Sequence, residues 1–159
     1  MAIKTKSIFQ PPNREDGIRI LITRFYPRGV ERTRFDEWAI SLAPSQELLF
    51  SYRNGNKNWS SFKRSFLIEL RDNVESIEAI HVLNEVSRKQ NVTLLCYEQS
   101  GVACHRHIVR DVVESPELID PQDLRLQLQP EHANYDERSS IQRHISYEKT
   151  PVVTGVLHP

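Results

Sequence analysis

The sequence predicts an α/β fold: a small single domain with a short, mostly parallel sheet packed by helices, followed by an irregular C-terminal tail. Three observations predict it. A length of 159 residues suits one domain able to bury a core. Two amphipathic helical stretches lie between two β-branched apolar runs, 18–25 and 92–97, and strands joined through helices are normally parallel. Beyond Glu114 the chain changes character, with five prolines and neither Phe nor Trp in residues 115–159, which offers little to an independent core. The domain is therefore assigned to residues 1–114, and 115–159 to a Pro-rich acidic tail, extended or partly disordered.

In the first element, IKTKSIF, residues Ile3, Thr5 and Ser7 alternate with Lys4, Lys6 and Ile8, the period-two signal of an edge strand. QPPNREDG breaks it with two prolines and a glycine. IRILITRFY resumes with Ile18, Ile20 and Ile22 on one side and ends at Pro27 and Gly29, in a loop rich in arginine. In NWSSFKRSFLIELRD, Trp59, Phe62, Phe66, Leu67 and Leu70 share one helix face, with Asn58 placed to cap the start. VESIEAIHVLNEVSRKQ repeats the pattern with Ile77, Ile80, Leu83 and Val86, broadened by Ala79 and Val82. NVTLLCYE is the buried strand those two helices need as a partner. CHRHIVRDVVE then reads as a helix, with Ile108, Val109, Val112 and Val113 on its apolar stripe. In the tail, Leu124, Leu126 and Leu128 alternate with polar residues, so that piece can pair as an edge strand, dock a partner or stay solvated.

Charge and composition exclude several classes. Residues 1–114 hold 17 Lys plus Arg against 14 Asp plus Glu, and residues 115–159 hold 4 against 7, so a neutral total hides a mildly basic body and a mildly acidic tail. That body is too weakly basic to imply nucleic acid by charge alone. No apolar run is long enough for a membrane span, and the first residues lack the apolar core of a signal peptide, so a cytoplasmic location without membrane contact is expected. In a reducing compartment the two cysteines are expected as free thiols.

Both cysteines fall in LLCYEQSGVACHRHIVRDVV, residues 94–113, a strand, loop and helix start. In parallel sheets, ligands bind beyond the carboxyl ends of the strands, where helix N-termini present free N–H groups. Cys104 lies in the first turn of its helix beside His105 and Arg106, conditions that favour a thiolate. Cys104 is thus a candidate nucleophile, with Glu98 and His105 as candidate proton carriers; burial of Cys104 and His105 on the helix stripe is the alternative. Cys96, within a buried strand, is assigned to the core. Arg106 supplies a planar fork of donors suited to phosphate or carboxylate, and Arg24 and Arg28 leave the other strand toward the same edge, so these three are the candidate anion ligands. The partner they imply is a small anionic ligand or a phosphate group, with a nucleic-acid backbone only weakly supported.

No metal is expected, because His105 and His107 project about 200° apart on a helix and the short Cys and His spacings of compact zinc sites are absent. Cys96 and Cys104 lie ten and two positions before Arg106, neither of them the spacing of a tyrosine-phosphatase-like loop. Without G-x-G-x-x-G, a P-loop or G-x-S-x-G, no cofactor is expected, and nucleotide hydrolysis or serine-esterase chemistry has no footing. Two readings remain, an anion-binding module and a thiol-dependent enzyme.

DGIRILITRFYPRGV (16–30), FDEWAISLAPSQELLFSY (35–52), WSSFKRSFLIEL (59–70) and VTLLCYEQSGVACHRHIV (92–109) together resemble the YeaO-like family, grouped as a domain of unknown function, across residues 3 to about 114. The resemblance implies a compact α/β domain whose family motifs fall here on Arg24, Pro27 to Gly29, Trp38, Cys96, Glu98, Cys104, His105 and Arg106. Thr23 stands where the family motif carries an acidic residue. The resemblance implies no reaction.

Overall fold

Four parallel strands make the sheet of the computed structural model, which describes residues 2–119. They are β1 (Ile3–Ser7), β2 (Ile18–Leu21), β3 (Glu37–Trp38) and β4 (Val92–Cys96), in the order β1-β4-β2-β3. The last strand along the chain is therefore inserted between β1 and β2, with Leu94 opposite both Thr5 and Ile20. All three pairings are parallel, and β1 is an edge. The helices are α1 (Gln46–Arg53), α2 (Trp59–Asp72), α3 (Val74–Lys89) and α4 (His105–Glu114).

Strand alternation divides the core in two. On one face Ile3, Ile20, Ile22, Val92 and Leu94 join Phe62, Phe66 and Leu70 of α2, Ile77, Ile80, Leu83 and Val86 of α3, and the Ile108, Val109, Val112 and Val113 stripe of α4 in one buried cluster. Each of these side chains contributes about 1.5–3 kcal/mol when fully buried. On the other face Ile8, Leu21 and Leu95 pack against Phe35, Val30 and Trp38, so a loop rather than a helix covers it.

The turn into β2 explains one glycine. Gly17 has φ +65, and a Cβ there would lie 1.9 Å from the Asn91 carbonyl oxygen, so a side chain would collide with the backbone leading into β4.

Three boundaries differ from the sequence reading. The strand expected over 18–25 ends at Leu21, because the Thr23 hydroxyl donates to the Phe25 carbonyl at 2.8 Å and turns the chain off the ladder. Cys104 is the residue flanking α4, in extended conformation, rather than part of its first turn. Packing also continues beyond Glu114, through a short turn at Pro116–Leu118 to Ile119, which is buried in the main cluster. Leu124, Leu126 and Leu128 lie outside the described residues. Among the described residues no helix is long and apolar enough to cross a membrane.

Candidate functional site

The carboxyl end of β4 faces the start of α4 because both belong to the helix-covered side of the sheet. Val92, Leu94 and Cys96 alternate onto that side. The α4 stripe, one helical turn after another, draws the N-terminus of the helix down onto the same place. The intervening segment leaves the sheet through Tyr97 and Glu98, runs exposed from Gln99 to Ala103 with Gly101 at φ +85, and returns at Cys104.

Four side chains meet there. The Glu98 carboxylate, through Oε2, accepts from Cys96 Sγ at 2.9 Å and from Cys104 Sγ at 3.1 Å. His105 Nδ1 stands 3.8 Å from Cys96 Sγ and 3.9 Å from Cys104 Sγ. Its Nε2 lies 2.6 Å from the Ile22 carbonyl oxygen just past β2. A carbonyl can only accept, so Nε2 carries a proton, and Cys96 Sγ, 3.8 Å from Nδ1 and 3.9 Å from Nε2, lies beside the ring rather than along the Nδ1 lone pair. Phe66 holds the ring from the side, edge-on, with centroids 5.7 Å apart. Both cysteines are free thiols and buried, as is His105.

The electrostatics split the two thiols. Cys104 is lowered to about 6 by the hydrogen bond from Cys96 and, against the opposing effect of burial, by His105. Cys96 moves well up, since it donates to Cys104 and is buried beside it. Burial alone would raise Glu98, but the hydrogen bonds from the two thiols outweigh it and hold the carboxyl below its usual range. Two thiols bonded to one carboxylate, Cys104 the more readily ionised of the two, therefore share a small volume with an imidazole nitrogen.

The helix start bears on this as well. α1, α2 and α3 open on Ser45, Asn58 and Asn73, whose side chains each accept a backbone N–H of the first turn. Cys104 makes no such side-chain bond at the head of α4. A Ser or Asn cap contributes about 0.5–2 kcal/mol, so this position gives up stability that the other three helices keep.

The arginines are placed differently from one another. Arg106 is 1% exposed, and its guanidinium donates to the Glu98 carbonyl through Nη1 and to the Gln99 carbonyl through Nη2 at 2.8 Å, pinning the start of the loop. Its Nε is buried without a hydrogen-bond partner. Arg24 donates to the carbonyls of Pro44 at 2.8 Å and Ala43 at 2.7 Å, well away from the thiols along the chain. Arg28 is exposed on the loop after β2. The structure thus brings Glu98, Cys104 and His105 together and sets Arg106 behind them as a loop anchor. It also adds Cys96, which the sequence reading placed in the core: the residue is buried, yet its sulfur is part of the cluster. The parity of β4, which puts Cys96 on the same face as Val92 and Leu94, was the available signal. His107 stays outside the cluster, half-buried and made less basic by burial and then by Arg106 and Arg110.

The end of the sheet also carries exposed aromatic residues. Phe9 packs on Tyr97, the Tyr97 hydroxyl donates to the Phe25 carbonyl at 2.8 Å, and Phe9, Phe25 and Tyr26 are themselves exposed.

A family model described as the active DUF488-N3 subclade matches residues 3–117. The uncharacterized protein YeaO of Escherichia coli strain K12 is 29% identical over 117 residues, covering 72% of this chain and 99% of that protein. No solved structure matches.

Proposed function

Because this chain belongs to the active DUF488-N3 subclade, we propose that the cluster beyond β4 performs thiol chemistry, with Cys104 as nucleophile or redox thiol. The observation that carries this reading is the convergence on the Cys104 sulfur of a carboxylate at 3.1 Å, an imidazole nitrogen at 3.9 Å and a second thiol. A nucleophilic cysteine needs an acceptor for its proton and a donor that steadies the resulting thiolate. His105 Nδ1 serves as the acceptor, fixed in the required tautomer by the Ile22 carbonyl. Cys96 serves as the donor. Glu98, ionised, accepts from both S–H groups while Cys104 is still a thiol. The exposed rim of Phe9, Phe25 and Tyr26 gives the apolar part of a substrate a surface to lie on. Both sulfurs are buried, so a substrate reaches them when the exposed 99–103 segment moves.

The test is the pH dependence of alkylation in the reduced, chelator-treated protein, followed at each cysteine by peptide mass spectrometry. Cys104 should react with an apparent pKa of about 6 rather than the ordinary 9.0, and faster than Cys96. Equal, slow labelling of both in the native state would overturn the reading.

An anion-binding module remains the second reading, favoured by the partnerless Arg106 Nε. Two of the three guanidinium groups assigned to it, those of Arg24 and Arg106, are otherwise engaged with carbonyls. Inorganic phosphate should on that reading raise the melting temperature, by an increment that grows with the logarithm of its concentration, and Arg28→Ala should reduce it. A melting temperature indifferent to phosphate removes it.

A further inference from the structure

We propose that Cys96, Cys104, His105 and Glu98 form a four-donor site for a thiophilic divalent cation, zinc in the first instance. Two independent observations meet here. The first is the donor set and its spacing. Zinc takes thiolate sulfur at about 2.3 Å and imidazole nitrogen or carboxylate oxygen at about 2.0–2.2 Å. A tetrahedron of those bonds puts the donor atoms about 3.3–3.8 Å apart. The separations present are 2.9 and 3.1 Å from Glu98 Oε2 to the sulfurs and 3.8 and 3.9 Å from His105 Nδ1 to the same atoms. The sulfurs and the ring nitrogen all lie within 4.8 Å of one another. Glu98 lies outside that close group of three, so a fourth bond requires its carboxylate to move toward the imidazole.

The second observation is the hydrogen bond behind the imidazole. A histidine that binds a metal commonly donates its other N–H to a carbonyl or carboxylate, which fixes the tautomer and aims the lone pair. His105 makes that bond, Nε2 to the Ile22 carbonyl at 2.6 Å, so Nδ1 is the ring nitrogen free to ligate, with Cys104 Sγ 3.9 Å from it and Cys96 Sγ beside the ring at 3.8 Å from Nδ1 and 3.9 Å from Nε2. The ring is locked further by its edge contact with Phe66. Arg106, holding the Glu98 and Gln99 carbonyls, fixes the backbone from which the fourth donor extends.

The spacing of histidines in α4 predicts no such site, because His105 and His107 diverge. The site uses one histidine of the helix and takes its other donors from the residue before the helix and from the end of a strand. Soft thiolate donors in a tetrahedral set select zinc over magnesium or calcium. The inference does not depend on the thiol chemistry proposed above. If both hold, the cation occupies the thiolate and silences it, so the metal-free chain is the reactive form.

Titration of the reduced full-length chain with zinc, read by native mass spectrometry, should show one bound equivalent. Cobalt in its place should give a thiolate-to-cobalt charge-transfer band in the near ultraviolet. Zinc should protect both cysteines from alkylation, and a chelator should restore labelling. Cys96→Ser and Cys104→Ser should each weaken binding by more than the roughly 10–100-fold that loss of an outer hydrogen-bond partner costs. If either variant fails to fold by circular dichroism, the cobalt band and the protection of both thiols in the unaltered protein decide the matter. Binding without a charge-transfer band, or zinc retained by the Cys96→Ser/Cys104→Ser double variant, overturns the proposal. Glu98→Gln binding as tightly as the unaltered protein overturns its four-donor form. A protein whose cysteines alkylate slowly in chelator but still give the cobalt band has lost only the nucleophile reading.

Discussion

On the loop-covered face of the sheet Asp16 meets two cations, whereas at the carboxyl end of β4 Glu98 meets two thiols. Asp16 accepts from Lys6 Nζ at 3.0 Å and is ion-paired with Arg19 Nη1. It also accepts the Asn13 N–H at 2.9 Å, and its own carbonyl takes the Thr93 hydroxyl at 2.6 Å. Burial alone would raise the Asp16 carboxyl, but the Asn13 N–H and then Lys6 and Arg19 hold it below its usual range. In that group positive charge answers negative charge and the strands are tied to the preceding turn. The Glu98 group has no Lys or Arg side chain hydrogen-bonded to its carboxylate among the described residues; two weak S–H donors face it instead. One buried polar group is arranged for stability. The other keeps titratable groups short of charge compensation, the condition under which a proton, a substrate or a cation can be taken up.

The comparison breaks most sharply at Asp16. Asp16→Ala leaves Arg19 and Lys6 without their carboxylate in a buried setting and should cost about 3–5 kcal/mol, read from denaturant unfolding. Glu98→Gln, at the other pole, should cost far less while altering cysteine reactivity. If both substitutions cost the same, the division into a stabilising and a functional group fails.

Part of the acid dependence of stability should come from Asp16, alongside the Glu98 carboxyl, which is also held below its usual range. The folded pKa of Asp16 lies below the ordinary 3.8, so the unfolded chain binds its proton first as acid is added. Its contribution is fully present above that ordinary value and is lost as pH falls toward and through the lower folded value. Urea unfolding between pH 5 and pH 2 should show a decline that Asp16→Asn flattens.

Removal of the ring at His105 should have an intermediate effect. His105→Ala leaves the Ile22 carbonyl without its donor, a loss of about 1–3 kcal/mol, and removes the proton acceptor of the Cys104 thiol. The alkylation profile of Cys104 should move toward that of an ordinary thiol. A variant destabilised as expected but with an unchanged profile would make His105 a packing residue alone.

The smallest effect carries the opposite sign. Cys104→Ser supplies the cap that α4 lacks, and the protein should unfold at a slightly higher temperature, by up to about 1 kcal/mol of added stability, while losing the reactive thiol. A marked loss of stability would show that the Cys104 sulfur is there for packing.

The sequence by itself determined the class of fold and most of its core. Period-two and helical spacing are local properties, so Ile18 and Ile20, the Phe62, Phe66 and Leu70 face, and the α4 stripe were legible without neighbours. The Asn58 cap was legible for the same reason. It also drew attention to the 94–113 stretch, since strand, loop and helix start follow one another along the chain. What it left open depended on pairing. β3 is two residues long and exists only through its register with Ile20 and Leu21, and no pattern in two residues announces a strand. The insertion of β4 between β1 and β2 decided that Cys96 would meet Cys104 and that the Ile22 carbonyl would meet His105, contacts across 8 and 83 positions of chain. Arg106 shows the same limit: residue type and helix position suggested a free anion ligand, and only the path of the 98–99 backbone determined that its guanidinium is bonded to two carbonyls. Composition and periodicity fix which faces must be buried, because burial is set by each residue's own surface; which atoms then touch is set by how the buried faces are stacked, and that is a property of the tertiary structure alone.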